Sequence, residues 1–281
     1  MITQTPGATL LGNFLPDSDE WHNARRGITG SDIGAILGVS PFKSAYTLWA
    51  EKRGLISDRI EPSIPMRMGT LFEPAIKQLF IEQQPDLFVH DTGTWVSKGN
   101  ESYKANPDGL IEFSDGELGI LEIKHTSQYW PELPQTYFEQ VHWYLYVLGL
   151  KHAIVAAVTA GRYSDYIVEY DAQHAAYVLD RVQAFERLVA TDTEPDYDGS
   201  TSTYETVRTL APGLTDSEIE LGYLWVNLSN AKARYDEANT VFNSFKSATL
   251  AQMDGAKHGT YNGERVITLQ AKNGKPFITF K

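Results

Sequence analysis

Apolar residues recur at helical spacing in two glycine-bounded stretches of the N-terminal quarter, first at Ile33, Ile36 and Leu37 and then at Tyr46, Leu48 and Trp49. The first stretch, 29–38, predicts a short helix capped by Ser31 or Asp32 and ended by Gly38. The second begins at Ser40-Pro41-Phe42 and stops at Gly54. Ahead of both, 21–26 reads as helical, after an irregular start with Pro16 and the acidic run Asp17-Ser18-Asp19-Glu20. A longer helix starts near Met68-Gly69 and carries Leu71, Phe72, Ile76, Leu79 and Phe80.

Beyond Pro85 the pattern changes to short strands at 87–90, 94–97, 103–106, 109–113 and 119–124, with Ser114-Asp115-Gly116 joining the last two as a hairpin. Helical periodicity returns over 134–148 and Gly149 ends it. The nearly continuous apolar run 153–159 predicts a buried strand, the more alternating 163–170 a neighbour across Gly161-Arg162, and 172–190 a closing helix. Residues 191–217, rich in Thr, Asp, Pro and Gly, predict a linker or surface segment. After it come one long helix or a helical pair over 218–253 and a hairpin over 266–280 about Asn273-Gly274. The pattern divides the chain into an α/β domain over 1–200 and a C-terminal extension over 201–281, helical and then hairpin.

Composition narrows the chemistry. The 281 residues include no cysteine, which excludes thiolate zinc sites, iron–sulfur clusters and cysteine nucleophiles. Metal chemistry must then use oxygen or imidazole ligands. No apolar run approaches the roughly 20 residues of a membrane span, and 1–20 lacks the pattern of a signal peptide, so a soluble intracellular protein is expected. The net charge of −12 speaks against a DNA partner, since phosphate contacts need Lys and Arg. A nuclease relaxes that objection, because its site gathers carboxylates around divalent cations that supply positive charge locally. Arg25, Arg26, Lys43, Lys52, Arg53 and Arg67 also cluster in the first quarter of the chain.

The residues bearing chemistry are Asp108, after the turn at Asn106-Pro107, and Glu122 with Lys124, two apart and so on one face of a strand. A strand, a tight turn and a returning strand fit between Asp108 and Glu122, so the two acids can converge. Carboxylate-bound magnesium can polarise a phosphoryl oxygen, activate a water and stabilise the leaving oxygen. Lys124 could orient or deprotonate that water or stabilise phosphoryl charge. Spacing alone favours an exposed Glu-x-Lys pair and a simple Asp-Gly turn. The apolar Ile120-Leu121 before the pair favours the functional alternative, since charged side chains there need a partner or a task.

Pro107-Asp108-Gly109 followed by Leu121-Glu122-Ile123-Lys124 resembles the PD-(D/E)xK nuclease superfamily. Further motifs narrow the likeness: Trp21-x3-Arg25, 28–33, Gly38-x-Ser40-Pro41-Phe42, Leu48-Trp49-x2-Lys52-x-Gly54 and Met68-Gly69-x3-Glu73. These resemble the YqaJ-like viral recombinase family, which includes phage lambda exonuclease, in the expected order over about residues 20–190. Gln140-x3-Tyr144 is similar to the third motif of RecB-type nucleases. The resemblance implies a restriction-endonuclease-like α/β core, a central mixed sheet flanked by helices. It implies a divalent metal held by Asp108, Glu122 and the Ile123 carbonyl, with Glu73 joining directly or through water, and Lys124 as catalytic lysine. Gln140 would support the site or touch the scissile phosphate, its alternative with Tyr144 being helix packing. Arg25, with Arg26 beside it, and Ser31 would hold a 5′-phosphate. His125, on the opposite face, reads as structural.

The same likeness implies a magnesium-dependent exonuclease, with manganese able to substitute, that digests double-stranded DNA 5′ to 3′ and leaves 3′ single strands for phage recombination. A ring-shaped homotrimer, a phage single-strand annealing partner and a phage- or prophage-encoded protein in the bacterial cytoplasm go with it. Two other readings stand beside this one: a structure-selective or sequence-specific endonuclease with the same metal site, and a DNA-end-binding scaffold without turnover. Trp130, Tyr137, Trp143 and Tyr144 are aromatic candidates for stacking on unpaired bases or for packing in the core. The segment from Leu214, read as acidic and helical, is left between oligomer contacts, partner docking and fold closure.

Overall fold

The structure, a computed structural model, describes residues 2–15, 18–59 and 61–280. Pro16 and Asp17 of the expected irregular start therefore lie outside the described residues. Two compact units are present, 1–212 and 213–281.

The first unit runs β1 (Ala8–Gly12), α1 (Asp19–Ala24), α2 (Gly30–Ile36), α3 (Ala45–Lys52), α4 (Ile64–Gln83), β2 (Phe88–His90), β3 (Thr94–Ser97) and β4 (Lys104–Ala105). It continues with β5 (Gly109–Glu112), β6 (Leu118–Thr126), α5 (Gln135–Leu148), β7 (His152–Thr159), β8 (Arg162–Glu169), α6 (Ala172–Ala190) and α7 (Thr201–Leu210). Five strands form the central sheet in the order β2-β5-β6-β7-β8. β6 and β7 are parallel, as the intervening helix α5 requires, and the other pairs are antiparallel. This is the expected mixed α/β sheet flanked by helices.

Alternation along β5 and β6 sorts the core into two layers. Leu110 and Ile120 face the large cluster built with Val141, Leu145 and Leu148 of α5. Ile111, Leu121 and Ile123 face Ile76 and Phe80 of α4. Glu122 and Lys124 share the parity of Ile120 and so point toward α5, while His125 turns to the α4 side and stacks on Phe72, ring centroids 4.6 Å apart. Gly149 ends α5 at φ 68°, the left-handed cap position that glycine fills without strain.

Several boundaries differ from expectation. The cap of α2 is Thr29, whose backbone N–H donates to the Asp32 carboxylate at 2.9 Å; neither Ser31 nor Asp32 is the cap. α3 begins at Ala45, where the Ser44 hydroxyl accepts from the Thr47 N–H, and 40–44 are not helical. α4 starts four residues before Met68, aided by Pro65 in its first turn, where a missing N–H costs nothing. The segment expected as a linker contains α7, and Thr47 of α3 bonds to the Ser202 and Thr206 hydroxyls at 2.7 and 2.8 Å. This packing carries the first unit through Pro212, so the division falls there and not at residue 200. β1 pairs with β3 in a separate sheet, β1-β3-β4, where an irregular start was expected.

The second unit is α8 (Tyr223–Met253), one helix and not a pair, followed by β9 (His258–Tyr261), β10 (Glu264–Lys272) and β11 (Lys275–Phe280). Asn273 and Gly274, at φ 53° and 74°, make the expected turn, and Asn262-Gly263 makes a second one that adds β9 to the hairpin. Phe242 of α8 stacks on Phe280. Residues 213–281 hold eight Lys and Arg against seven Asp and Glu, so this unit is nearly neutral and the acidic reading applies only to its first residues. Among the described residues no helix is long and apolar enough to cross a membrane.

Candidate active site

The antiparallel register that sets Gly109 against Leu121 brings Asp108 across from Glu122 at the end of the β5–β6 pair. The Asp108 carboxylate accepts from the Ile123 N–H at 2.7 Å, which ties the turn before β5 to the middle of β6. Lys124 Nζ lies 2.6 Å from Glu122 Oε1, and Gln140 Nε2 donates to the same oxygen at 2.8 Å. Gln140 also donates to the Tyr144 hydroxyl at 2.9 Å. Asp108, Glu122, Lys124, Gln140 and Tyr144 thus form one connected group between the sheet and α5.

Glu122 is only 2% exposed, and its second oxygen, Oε2, is buried without a hydrogen-bond partner among the described residues. Burial, and then the Asp108 charge, push its carboxyl up to about 8. Burial likewise raises Asp108 against the pull of Lys124 and the Ile123 N–H. Lys124 is held above its ordinary value by Glu122 and Asp108, which outweigh its own desolvation. Such a pair lacks positive charge: one desolvated lysine faces two carboxylates, and one carboxylate oxygen has no donor. Hard oxygen donors in this state fit a divalent cation of the magnesium class.

Glu73 stands apart from this pair. Its carboxyl is raised first by burial and then by Asp108, so it feels the site electrostatically. The structure does not gather it into a three-carboxylate cage: among the described residues no group of three or more His, Cys, Asp and Glu is placed to hold a metal ion. The part of the expected ligand set that comes together is Asp108, Glu122 and the Ile123 backbone.

Sequence reasoning missed Lys77. Its ammonium bridges Asp91 at 2.7 Å and the Asp108 carbonyl at 3.3 Å, pinning the acidic turn to α4. The available signal was its position four residues after Glu73, one turn along the same helix face.

Arg25, Arg26 and Ser31 line one cleft of about 550 Å³, with Lys43 and Lys52 also on its wall. Since Thr29 takes the capping position, Ser31 is an exposed hydroxyl 2.9 Å from Thr29 Oγ1. Arg25 is half-buried, its guanidinium 4.1 Å from the Trp21 ring centre, while Arg26 is exposed. Lys52 is committed elsewhere, to the Gly27 carbonyl at 2.6 Å and Asp32 at 2.8 Å, where it braces the loop before α2. The cleft adjoins the acidic group through Tyr144, on which Arg25 acts electrostatically.

Gly30 makes that junction close. A Cβ there would sit 2.9 Å from the Gln140 carbonyl oxygen and overlap the Tyr144 ring. Gly30→Ala should therefore destabilise the protein by about 1–3 kcal/mol, as overpacking does. It should also displace α5, which calorimetry and near-ultraviolet circular dichroism would show together. An unchanged melting temperature would refute the close junction.

Residues 20–151 match the YqaJ-like viral recombinase domain. Protein YqaJ of Bacillus subtilis (strain 168) is 32% identical over 162 residues, covering 53% of this chain and 48% of that protein. Protein D345L of African swine fever virus (strain Badajoz 1971 Vero-adapted) is 32% identical over 123 residues, covering 40% of this chain and 31% of that protein. The chain spans less than half the length of either relative. Among solved structures the fold is similar to an alkaline exonuclease (LHK-Exo) from Laribacter hongkongensis, at TM-score 0.53 and 19% identity, covering 69% of this chain and 100% of that one. LHK-Exo in complex with dAMP gives a TM-score of 0.52, also at 19% identity, over 68% and 97%. At that identity the likeness is one of fold. Motif order, sheet topology and family match converge on residues 20–151, which are similar to the YqaJ-like viral recombinase domain and lie on a restriction-endonuclease-like fold.

Proposed function

We propose that this chain is a magnesium-dependent exonuclease that degrades double-stranded DNA from an end, 5′ to 3′, leaving 3′ single strands for phage-type recombination by strand annealing. The observation that carries this reading is the desolvated Asp108–Glu122 pair with its unpartnered oxygen, held beside Lys124. The similarity of the fold to an alkaline exonuclease, also solved in complex with dAMP, supports it. Direction, the ring trimer and the annealing partner rest on the family resemblance.

In this reading Asp108, Glu122 and the Ile123 carbonyl would hold the metal, with Glu73 joining directly or through water. When bound there, a divalent ion would supply Lewis acidity toward the scissile phosphate and the attacking water. Lys124 sits beside Glu122 and, held as an ammonium by the two carboxylates, would orient that water and stabilise negative charge on the phosphoryl oxygens. Gln140 fixes the Glu122 carboxylate and links it to Tyr144. Arg25 and Ser31 take the 5′-phosphate in the adjoining cleft, a task suited to a guanidinium fork beside a hydroxyl.

The test is end-labelled linear DNA with each 5′ terminus phosphorylated or not, sampled over time with magnesium, next to covalently closed circles. Phosphorylated ends should be digested faster, and Arg25→Ala should shrink the difference between the two ends by about tenfold, the loss expected of one charge-assisted contact. Equal rates on both ends would remove the phosphate reader. Cutting of closed circles would replace the exonuclease by an endonuclease.

A further inference from the structure

We propose that Trp130 and Tyr137, flanked by Tyr129, form a stacking platform for an unpaired nucleobase beside the scissile phosphate. The proposal rests on the nuclease reading and adds a part of the substrate that the carboxylates do not touch. The structure separates the four aromatic candidates into two kinds. Trp143 and Tyr144 are buried, the indole N–H donating to the Lys104 carbonyl at 3.0 Å and the Tyr144 hydroxyl accepting from Gln140. Both belong to the core. Trp130 and Tyr137 are half-exposed, with ring centroids 4.9 Å apart and planes tilted by 35°.

The platform begins at the site itself, since Lys124 Nζ lies 5.0 Å from the Tyr137 ring centre. It is also held in place. The Tyr166 hydroxyl on β8 donates to the Trp130 carbonyl at 2.9 Å, fixing the loop that leaves β6. Farther out, Tyr129 is 56% exposed and the Arg162 guanidinium lies 5.3 Å from its ring centre. Aromatic faces interleaved with a lysine and an arginine are the elements with which proteins bind single strands: rings for bases of any identity, cations for the backbone. The occupant is a base of the strand being cut, because the nucleotide flanking a phosphate held at Lys124 lies within reach of Tyr137 and Trp130. A base still paired in the duplex would have its faces covered, so the platform favours an end that has opened.

The experiment pairs Trp130→Ala with DNA lacking a base at one of the first two nucleotides from the 5′ end. On intact DNA the variant should lose roughly 5- to 150-fold in kcat/KM, corresponding to about 1–3 kcal/mol per stacked base. On the abasic substrate the wild-type protein should fall by a similar factor and Trp130→Ala by less than about twofold further, the coupling expected of partners in contact. Trp130→Phe should restore most of the loss. With EDTA present so that nothing is cut, 2-aminopurine at the same nucleotide should be quenched by the wild-type protein and by Trp130→Phe, and not by Trp130→Ala. Equal losses on intact and abasic DNA, or no loss on either, would overturn the platform. A wild-type protein inert on intact DNA would overturn the nuclease reading and the platform with it.

Discussion

Lys124→Ala should lower magnesium-dependent DNA digestion by at least about 10³-fold, within the range usual for removing a proton-transfer group or a charge-stabilising donor. The magnitude follows from position. Lys124 is only 18% exposed on its side chain, packed against Glu122 and the Tyr137 ring, so water cannot easily replace its ammonium. The fold should survive. Once the lysine is gone, the buried Glu122 carboxyl, already pushed up to about 8, rises further and stays neutral at neutral pH, so no unpaired charge is left buried. Near-ultraviolet circular dichroism would establish that the variant is folded, and a rate within tenfold of wild type would remove Lys124 from the site.

Asp108→Asn should produce opposite effects on activity and on metal-free stability. Digestion should fall by a comparable factor, because an amide contributes no charge to hold a divalent cation. The metal-free protein should gain about 0.5–2 kcal/mol, the scale on which relief of a strained functional site commonly appears. An asparagine oxygen can still accept from the Ile123 N–H while like-charge repulsion with Glu122 disappears.

The pH dependence follows from the same groups. Asp108, Glu122 and Glu73 all have raised carboxyls, so the folded chain binds more protons than the unfolded chain above the ordinary carboxylate range. Their contribution to metal-free stability is complete below that range and is lost as pH rises from about 4.5 to about 8, the interval set by Glu122. Buried His142, pushed down to about 4, adds an opposite slope below the ordinary histidine range, so thermal melts in EDTA should slope downward for the wild type from above that range to about pH 8, and less steeply for Asp108→Asn. Added magnesium should raise the wild-type melting temperature and leave the variant's unchanged. A variant that magnesium stabilises as strongly as it does the wild type would contradict Asp108 as a ligand.

What could be read in advance follows a physical rule about distance along the chain. The β5–β6 hairpin was legible because its signals are local: alternation on both strands, Ser114-Asp115-Gly116 between them, and a spacing that lets Asp108 meet Glu122. α5 and α6 were legible for the same reason, each having a sustained period, and α5 a defined stop at Gly149. β1 was not, because Ala8–Gly12 becomes a strand by pairing with Thr94–Ser97, and nothing near residue 8 encodes that partner. The Asn262-Gly263 turn carried a signal as strong as Asn273-Gly274 and still went unread, since β9 is short and mostly polar. α7 lay within a polar segment whose helix is fixed by hydroxyls docking on α3.

The sequence by itself determined the chemistry available to this protein: oxygen ligands in the absence of cysteine, two acids and a lysine at hairpin spacing, and the motif order of a nuclease family. These properties depend on residue identity and short-range geometry, which a chain carries before it folds. Tertiary structure decided how those residues act. Only packing reveals that Glu122 Oε2 is buried without a donor among the described residues, that Glu73 stands apart from Asp108 and Glu122, and that Lys77 pins the acidic turn. Only the contact between α2 and α5 brings the Arg25 cleft next to Gln140 and Tyr144. Desolvation and long-range contact depend on what surrounds a side chain, and those surroundings exist only once distant segments have met.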